Sequence, residues 1–540
     1  MDMDLPAETD KFCTDSGIPI KSFYSPADLG NQDCVTDLND PGQFPYTRGI
    51  DCNMYRDKPW TETVYMGYGE AEGCNLRLKS TLREARNIGL YIAMDLPTQM
   101  GYNSDNSLAE GEVGRVGVAI DSLKDLEGLF NDIPIQDLRY VGTTAFAIGP
   151  LMISMFLALG EKRGIAPEKY RVKIANDSLR EYITRGTYIF PPKPALRLTT
   201  DAIEYCARYL PHWQAIHVHG HSLREAGGNA VQEIAFSLAF ALAYIDSTVK
   251  RGLTVDEVAP QFTFRLTSCM DFFEEVAKFR AVRSLWAKIL RERYGTQNEN
   301  TLTLGLEIGT SGSSLTAQQP LNNVVRVTIE ALAAVLGGVQ QVRTCAMDEA
   351  LSIPSEDSLR LALRTQQIIA HESGVTRTVD PLGGSYYLEH LTGRLELEAL
   401  EYLNKIDKMG GVLSALEQRF LQSEIERVSY RRQTELEKGE RIVVGVNAFQ
   451  STEKIDIKLV KRDPEVERKQ KESLNRLKAE RDNRMVNTAL IHLKQKASED
   501  GNLILPILDA VRVYATVGEI CDVLRSIYGE YEQGTRSFEG

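Results

Sequence analysis

Histidine is scarce in this 540-residue chain, with only seven, and basic residues are the minority: 62 Lys and Arg against 75 Asp and Glu leave a formal charge of −13. A nucleic acid needs a broad basic face to displace its counterions, so that class of partner is excluded. Eight cysteines (Cys13, Cys34, Cys52, Cys74, Cys206, Cys269, Cys345 and Cys521) never form a CxxC pair. That absence excludes zinc-knuckle and thioredoxin-type motifs and points to reduced thiols. The N-terminal MDMDLPAETD is acidic and lacks the basic-then-apolar order of a signal peptide. Apolar runs such as FAIGPLMISMFLALG (146–160) fall short of the ~20 residues a spanning helix needs. A cytoplasmic protein with no membrane segment is expected. No GxSxG elbow or HExxH pair occurs, and GYGEAEG (67–73) lacks the GxGxxG spacing of a nucleotide loop.

Against that scarcity, residues 215–222 read AIHVHGHS, with His217, His219 and His221 at alternate positions and His212 just upstream. Alternate side chains of a strand share one face, and three imidazoles on one face suggest a metal. Gly220 is expected to mark the strand end, and no partner carboxylate motif at metal spacing accompanies the histidines, so no metal ligand is assigned. Two other readings stand: a rebuilt substrate pocket, or histidines that simply pack and hydrogen-bond.

Residues 1–60 are rich in Pro, Asp, Asn and Gly and read as an extended N-terminal arm. Short β-rich runs follow at 89–97, 139–146, 171–177, 215–221, 262–268, 301–308, 339–345 and 375–381. Helical patterns lie between them, for example at 224–250 and 321–336, with apolar residues in phase with a 3.6 period. Strands alternating with helices imply parallel pairing through crossovers, and eight such units close into an α/β fold, the (β/α)8 TIM barrel. The barrel is assigned to 61–430 and a helical C-terminal region to 431–540, with the densely charged 453–485 read as a solvated helical linker.

Unusual strings then occur in a fixed order: PYTRG (45–49), MYRDKPWT (54–61), MDLPT (94–98), GYNSDN (101–106), GVAIDSL (117–123), TYIFPP (187–192) and REAGG (224–228). TSGSSLT (310–316), MDEA (347–350), RTQQIIAHESG (364–374), DPLGGSYY (380–387) and VVGVNAF (443–449) complete the set. Together they resemble the catalytic subunit of the methylmalonyl-CoA mutase family, the adenosylcobalamin-dependent acyl-CoA mutases, from about residue 40 onward. The resemblance implies a barrel that encloses an acyl-CoA and a radical 1,2-rearrangement of a branched to a linear acyl group. The family's Asp-x-His-x-x-Gly signature for cobalamin is absent. The expectation is therefore the large subunit of a split mutase, its lower cobalamin ligand supplied by a small cobalamin-binding subunit. A mutase-chaperone GTPase is a further partner the resemblance implies.

By the same resemblance Tyr65 and Arg185 match catalytic positions, the arginine offering a planar fork to a substrate carboxylate. Glu225, Gly312, Glu349 and Ala350 match cofactor-binding positions, and Met54 and Lys58 substrate-binding ones. The family's string Ser-Ile-Ser-Gly-Tyr-His is here HVHGHS, so its catalytic histidine falls at Ser222 and the preceding tyrosine is His221. His221, with Gly220 letting the strand end bend, is taken as the replacement, and Ser222 as the alternative. Asp51, Asn53, Lys58, Gln261, Glu307 and Gly309 also depart from the family pattern, all in the acyl-CoA channel. A carboxylated acyl-CoA is the expected substrate. A diverged radical mutase with an unusual substrate and a non-catalytic barrel subunit are the rival readings.

Overall fold

The computed structural model describes residues 12–30, 38–84, 89–451 and 463–532. Its strands are β1 Thr61–Met66, β2 Gly89–Ile92, β3 Tyr140–Thr144, β4 Val172–Ala175, β5 Ile216–His219, β6 Phe262–Ser268, β7 Gly305–Thr310 and β8 Gln341–Arg343. They form one eight-stranded sheet in the order β4-β3-β2-β1-β8-β7-β6-β5. Parallel pairing runs through β1–β2, β2–β3, β3–β4, β6–β7, β7–β8 and β1–β8. A parallel bridge from Lys173 to Gln214, just ahead of β5, continues the ladder past β4, with Ile174 N–H donating to Gln214 O at 2.9 Å. Helices connect consecutive parallel strands, as such crossovers require. This is the (β/α)8 barrel class read from the alternation.

Two expected strands differ. Residues 375–381 do not form one: Val375–Arg377 is a single 3-10 turn, and Asp380 follows at φ 46° ahead of Pro381. Its Val and Thr content imitates a strand, but the left-handed Asp380 and the proline cannot continue a ladder. The remaining strand is β1, whose polar TETVYM hid it. Similarly, the TLTL part of 301–308 opens as a helical turn, Glu299–Leu302, capped by the Asn298 side chain.

The chain divides into two compact units. One comprises Met1–Glu62, His219–Ala243 and Thr263–Lys461, the other Thr63–Val218, Tyr244–Phe262 and Arg462–Gly540. In the second unit, Gly89 faces Tyr140 and Gly142 faces Tyr91 across the register. A Cβ at Gly89 would stand 2.1 Å from Tyr140 Cζ, and one at Gly142 2.3 Å from Tyr91 Cδ2, so small residues make room for large ones strand by strand. In the first unit, Phe264 meets Trp286 of helix Phe272–Tyr294 edge-on at 5.5 Å. Period two then puts Phe264 and Leu266 toward that helix and Thr263, Arg265 and Thr267 on the opposite face.

The charged C-terminal stretch is not merely a solvated linker. Residues 452–462 lie outside the described residues, but helix Glu465–Glu480 buries Val466, Gln470 and Leu474. Gln470 donates to both Asp121 and Asp125, at 2.8 and 2.9 Å. Further on, Arg525 donates to the carbonyls of Met100 and Gly101. Helix Ala230–Val249 corrects another expectation. Its 20 residues are long and apolar enough to cross a membrane, yet 83% of its apolar window is buried in the protein.

Candidate active site

In the second unit, β1 and β2 place Tyr65 and Tyr91 opposite each other in register, and their rings stack at 5.9 Å. Tyr65 thereby packs on a cluster of Tyr91, Tyr140, Phe146 and Ala175. Phe146, just beyond β3, also meets two guanidiniums: Arg180 at 4.2 Å from the ring centre and Arg185 at 5.0 Å. Both guanidiniums gain from the negative face of the ring. Arg180 is fully buried and paired with Glu181 at 2.5 Å, whereas Arg185 is exposed and donates to Gln99 Oε1 at 2.7 Å. The structure thus brings Tyr65 and Arg185 to one aromatic cluster. Arg180 and Gln99 were missed from the sequence: Gln99 meets Arg185 across 86 residues, and nothing in LREYITRG announces that Arg180 lies over Phe146.

Strand parity covers only two of the three histidines. β5 ends at His219, and His221 is already the first residue of helix His221–Glu225. Gly220 has φ −59° and ψ −29°, a helical conformation open to any residue, so it does not act by bending the strand. Glycine is needed there for space, because a Cβ would stand 2.3 Å from Ser237 Oγ and 2.6 Å from Leu266 Cδ2. His217 is buried, its ring 6.0 Å from that of Tyr91 in the second unit. In the first unit, His219 is buried and His221 half-buried, their rings 5.0 Å apart at 65°, and Ser222 is buried behind them. Among the described residues no group of three or more His, Cys, Asp or Glu is arranged to hold a metal.

A buried charge network holds that short helix. Arg224 pairs with Glu275 at 2.7 Å, and Lys278 pairs with Glu233 at 2.6 Å and with Glu275 as well. All four side chains are fully buried. Arg224 also donates to Gly228 O, closing the loop after the helix, and Glu233 accepts from Thr267 N–H at 2.7 Å. Thr267 Oγ1 in turn donates to His221 O at 3.3 Å. Burial alone would depress the Lys278 ammonium, and the two carboxylates outweigh it, so its pKa lies above the ordinary value.

The cofactor-position residues all lie in the first unit. Glu225 is exposed, and its carboxylate accepts from Gly312 N–H at 3.0 Å and Ser311 Oγ at 3.2 Å. Gly312 follows the end of β7 and is exposed. Glu349, past the end of β8, accepts from Ala346 N–H at 2.8 Å, and Ala350 beside it is exposed. Beneath this loop, Glu330 is fully buried and accepts from Ser311 N–H at 3.1 Å. Burial pushes its carboxyl well above the usual range.

The substrate-position residues, Met54 and Lys58, differ in burial. Met54, at φ 42°, lies against Gly49 and helps line a cleft with Arg48, Tyr55, Arg283 and Asp380, while Lys58 is exposed. Among the departures, Glu307 turns out to be one half of a buried pair. It is the register partner of Arg265, and their charged atoms are 3.9 Å apart. Gly309 leaves space beside Arg265, whose Nη2 is the nearest atom to a hypothetical Cβ there, at 3.9 Å. Arg265 was missed, although an arginine on the face opposite Phe264 and Leu266 is the signal in FTFRLTS that could have found it.

Comparison with known proteins covers nearly the whole chain. The family described as methylmalonyl-CoA mutase matches residues 13–530. The chain is 38% identical over 533 residues to the 2-hydroxyisobutanoyl-CoA mutase large subunit of Aquincola tertiaricarbonis, across 98% of this chain and 94% of that one. It is 40% identical over 519 residues to the methylmalonyl-CoA mutase of Escherichia coli (strain K12), across 96% and 72%. To the mitochondrial methylmalonyl-CoA mutase of Homo sapiens it is 39% identical over 529 residues, across 98% and 70%.

Proposed function

The chain belongs to the methylmalonyl-CoA mutase family of isomerases, and from that premise we propose that it is the large catalytic subunit of an adenosylcobalamin-dependent mutase acting on a carboxylated, branched acyl-CoA in the cytoplasm. The observation that carries the substrate class is the gathering of Tyr65 and Arg185 on the Phe146 cluster. Arg185 offers two parallel N–H donors to the acyl carboxylate, and Tyr65 walls the same space with an aromatic ring. His221 donates from its ring to the thioester carbonyl as negative charge builds there, with Ser222 the weaker alternative donor.

The first unit fits adenosylcobalamin. Gly312 and Ala350 are small and exposed, and Glu225 and Glu349 beside them present carboxylates already tied down by backbone N–H donors. Such acceptors suit the carboxamide arms of a corrin. When bound, the group supplies a carbon-centred radical that takes hydrogen from the substrate. Within this unit Glu225 and Glu349 would orient it; in the second unit Arg185 would hold the acyl carboxylate still. A small subunit carrying the lower cobalt ligand is the partner this reading requires, as the name of the Aquincola relative suggests. A chaperone GTPase fits the same scheme.

A second reading, a mutase whose acyl group is an uncommon one, is favoured by the buried Arg265–Glu307 pair and the space at Gly309. Turnover of methylmalonyl-CoA, 2-hydroxyisobutanoyl-CoA and isobutyryl-CoA, with a small cobalamin-binding subunit and adenosylcobalamin, separates the two. The first reading expects methylmalonyl-CoA to be fastest, and a chain that isomerises no carboxylated acyl-CoA refutes it.

A further inference from the structure

MDLPTQ folds into a tight turn. Asp95 caps it, accepting from Thr98 N–H at 3.0 Å, and also accepts from Gly114 N–H at 2.8 Å. Gln99, the last residue of helix Leu96–Gln99, is 2% exposed. Its side-chain amide has a donor end and an acceptor end. The donor end, Nε2, lies 2.5 Å from the carbonyl of Met94, which can only accept. The acceptor end, Oε1, is left for Arg185, which can only donate, at 2.7 Å. Chemistry therefore fixes the orientation of the amide, and the amide fixes the direction of the guanidinium.

The contrast with Arg180 gives this contact its meaning. Two guanidiniums rest on Phe146, and the buried one is compensated by the Glu181 carboxylate. Arg185 is instead held by an uncharged group. A neutral anchor aims a cation without cancelling it, whereas a carboxylate in the same place would compete directly with a carboxylated ligand. We propose that Gln99 is a positioning residue for Arg185 and sets the preference for acyl groups that end in a carboxylate. The inference rests on the reading of Arg185 given above and adds to it the residue that keeps that arginine aimed with no carboxylate set against its charge.

The test is calorimetric binding of succinyl-CoA, which ends in a carboxylate, and butyryl-CoA, which ends in a methyl, to the full chain. The wild type should favour succinyl-CoA. Gln99→Glu should lower the succinyl-to-butyryl affinity ratio by about tenfold or more, since a charge pair replaces the ligand's own. Gln99→Met keeps the charge of Arg185 but removes its acceptor, and should lower the ratio by about threefold, the scale of one hydrogen bond. If Gln99→Glu melts far below the wild type, the methionine variant decides alone. A ratio that falls with Arg185→Gln but survives both Gln99 changes overturns this inference and leaves the reading of Arg185 intact. A wild type without preference for succinyl-CoA overturns both.

Discussion

Lys278→Met is the sharpest test of how the His221–Glu225 helix is held. Lys278, Glu233, Glu275 and Arg224 are fully buried, two cations against two anions. Methionine has nearly the same length and volume as lysine, so packing is kept and only the charge goes. The two carboxylates would then share Arg224 alone, which lies 3.9 Å from Glu233. The backbone carbonyl of Thr267, to which Lys278 also donates, would lose its partner as well. Removing one member of a buried pair costs about 3–5 kcal/mol, because the charge left behind is neither solvated nor matched. Adding Glu233→Gln restores one cation to one anion, and the double variant should recover part of that loss rather than add to it. Urea unfolding followed by far-ultraviolet circular dichroism, read alongside the midpoint for loss of turnover, measures both variants. A single-variant loss below about 1 kcal/mol, or a double variant whose losses simply add, would refute the network as the clamp on this helix.

His221→Ala should depress turnover by about 100-fold, the scale of a lost donor to a developing oxyanion. His217→Ala and His219→Ala, both at buried strand positions, should lower the melting temperature more than the rate. Comparable rate losses for all three would assign His221 no special part. Burial, and then the neighbouring Asp125 carboxylate, push Asp121 up to about 7. The folded pKa is thus above the unfolded value, so the stability it contributes is complete below pH ~4 and is lost as pH rises toward 7. Hydrogen exchange in helix Glu465–Glu480, docked there through Gln470, should speed up between pH 5 and 8, after correction for intrinsic rates, and Asp121→Asn should flatten that trend. Gly220→Ala should destabilise through its clash with Ser237 and Leu266, and Ser237→Ala should relieve part of the loss; equal melting temperatures for Gly220→Ala and wild type would contradict the contact.

Alternation of short strands and helices was enough to reveal a (β/α)8 barrel, because most of its strands are brief β-rich runs between turn residues. It misled where composition and conformation part ways. TETVYM is a strand despite its polar residues, because two of them, Thr61 and Thr63, are buried on one face. TRTVDPL is not a strand despite Val and Thr, because Asp380 turns left-handed. For the histidines, parity holds only while the chain stays extended, and it stops at His219. Tyr65 and Arg185 were singled out by the family resemblance alone, since no string quoted for it contains either. The seat of Arg180 on Phe146, the Gln99 contact and most of the four-charge network were not legible, since they depend on partners distant in sequence, and no local pattern encodes such a partner.

The hold of Arg525 on Met100 and Gly101 has a consequence for biosynthesis. Those contacts join residues 424 and 425 positions apart, and the loop they brace is the one that begins at Gln99. Every strand of the barrel is complete by Arg343, so a ribosome finishes the sheet long before it delivers this brace. A nascent chain halted between those points would carry Tyr65, Gln99 and Arg185 in their strands and turns, but with the Met100 and Gly101 carbonyls ungripped. Acquisition of the braced loop thus waits until Arg525 has been made.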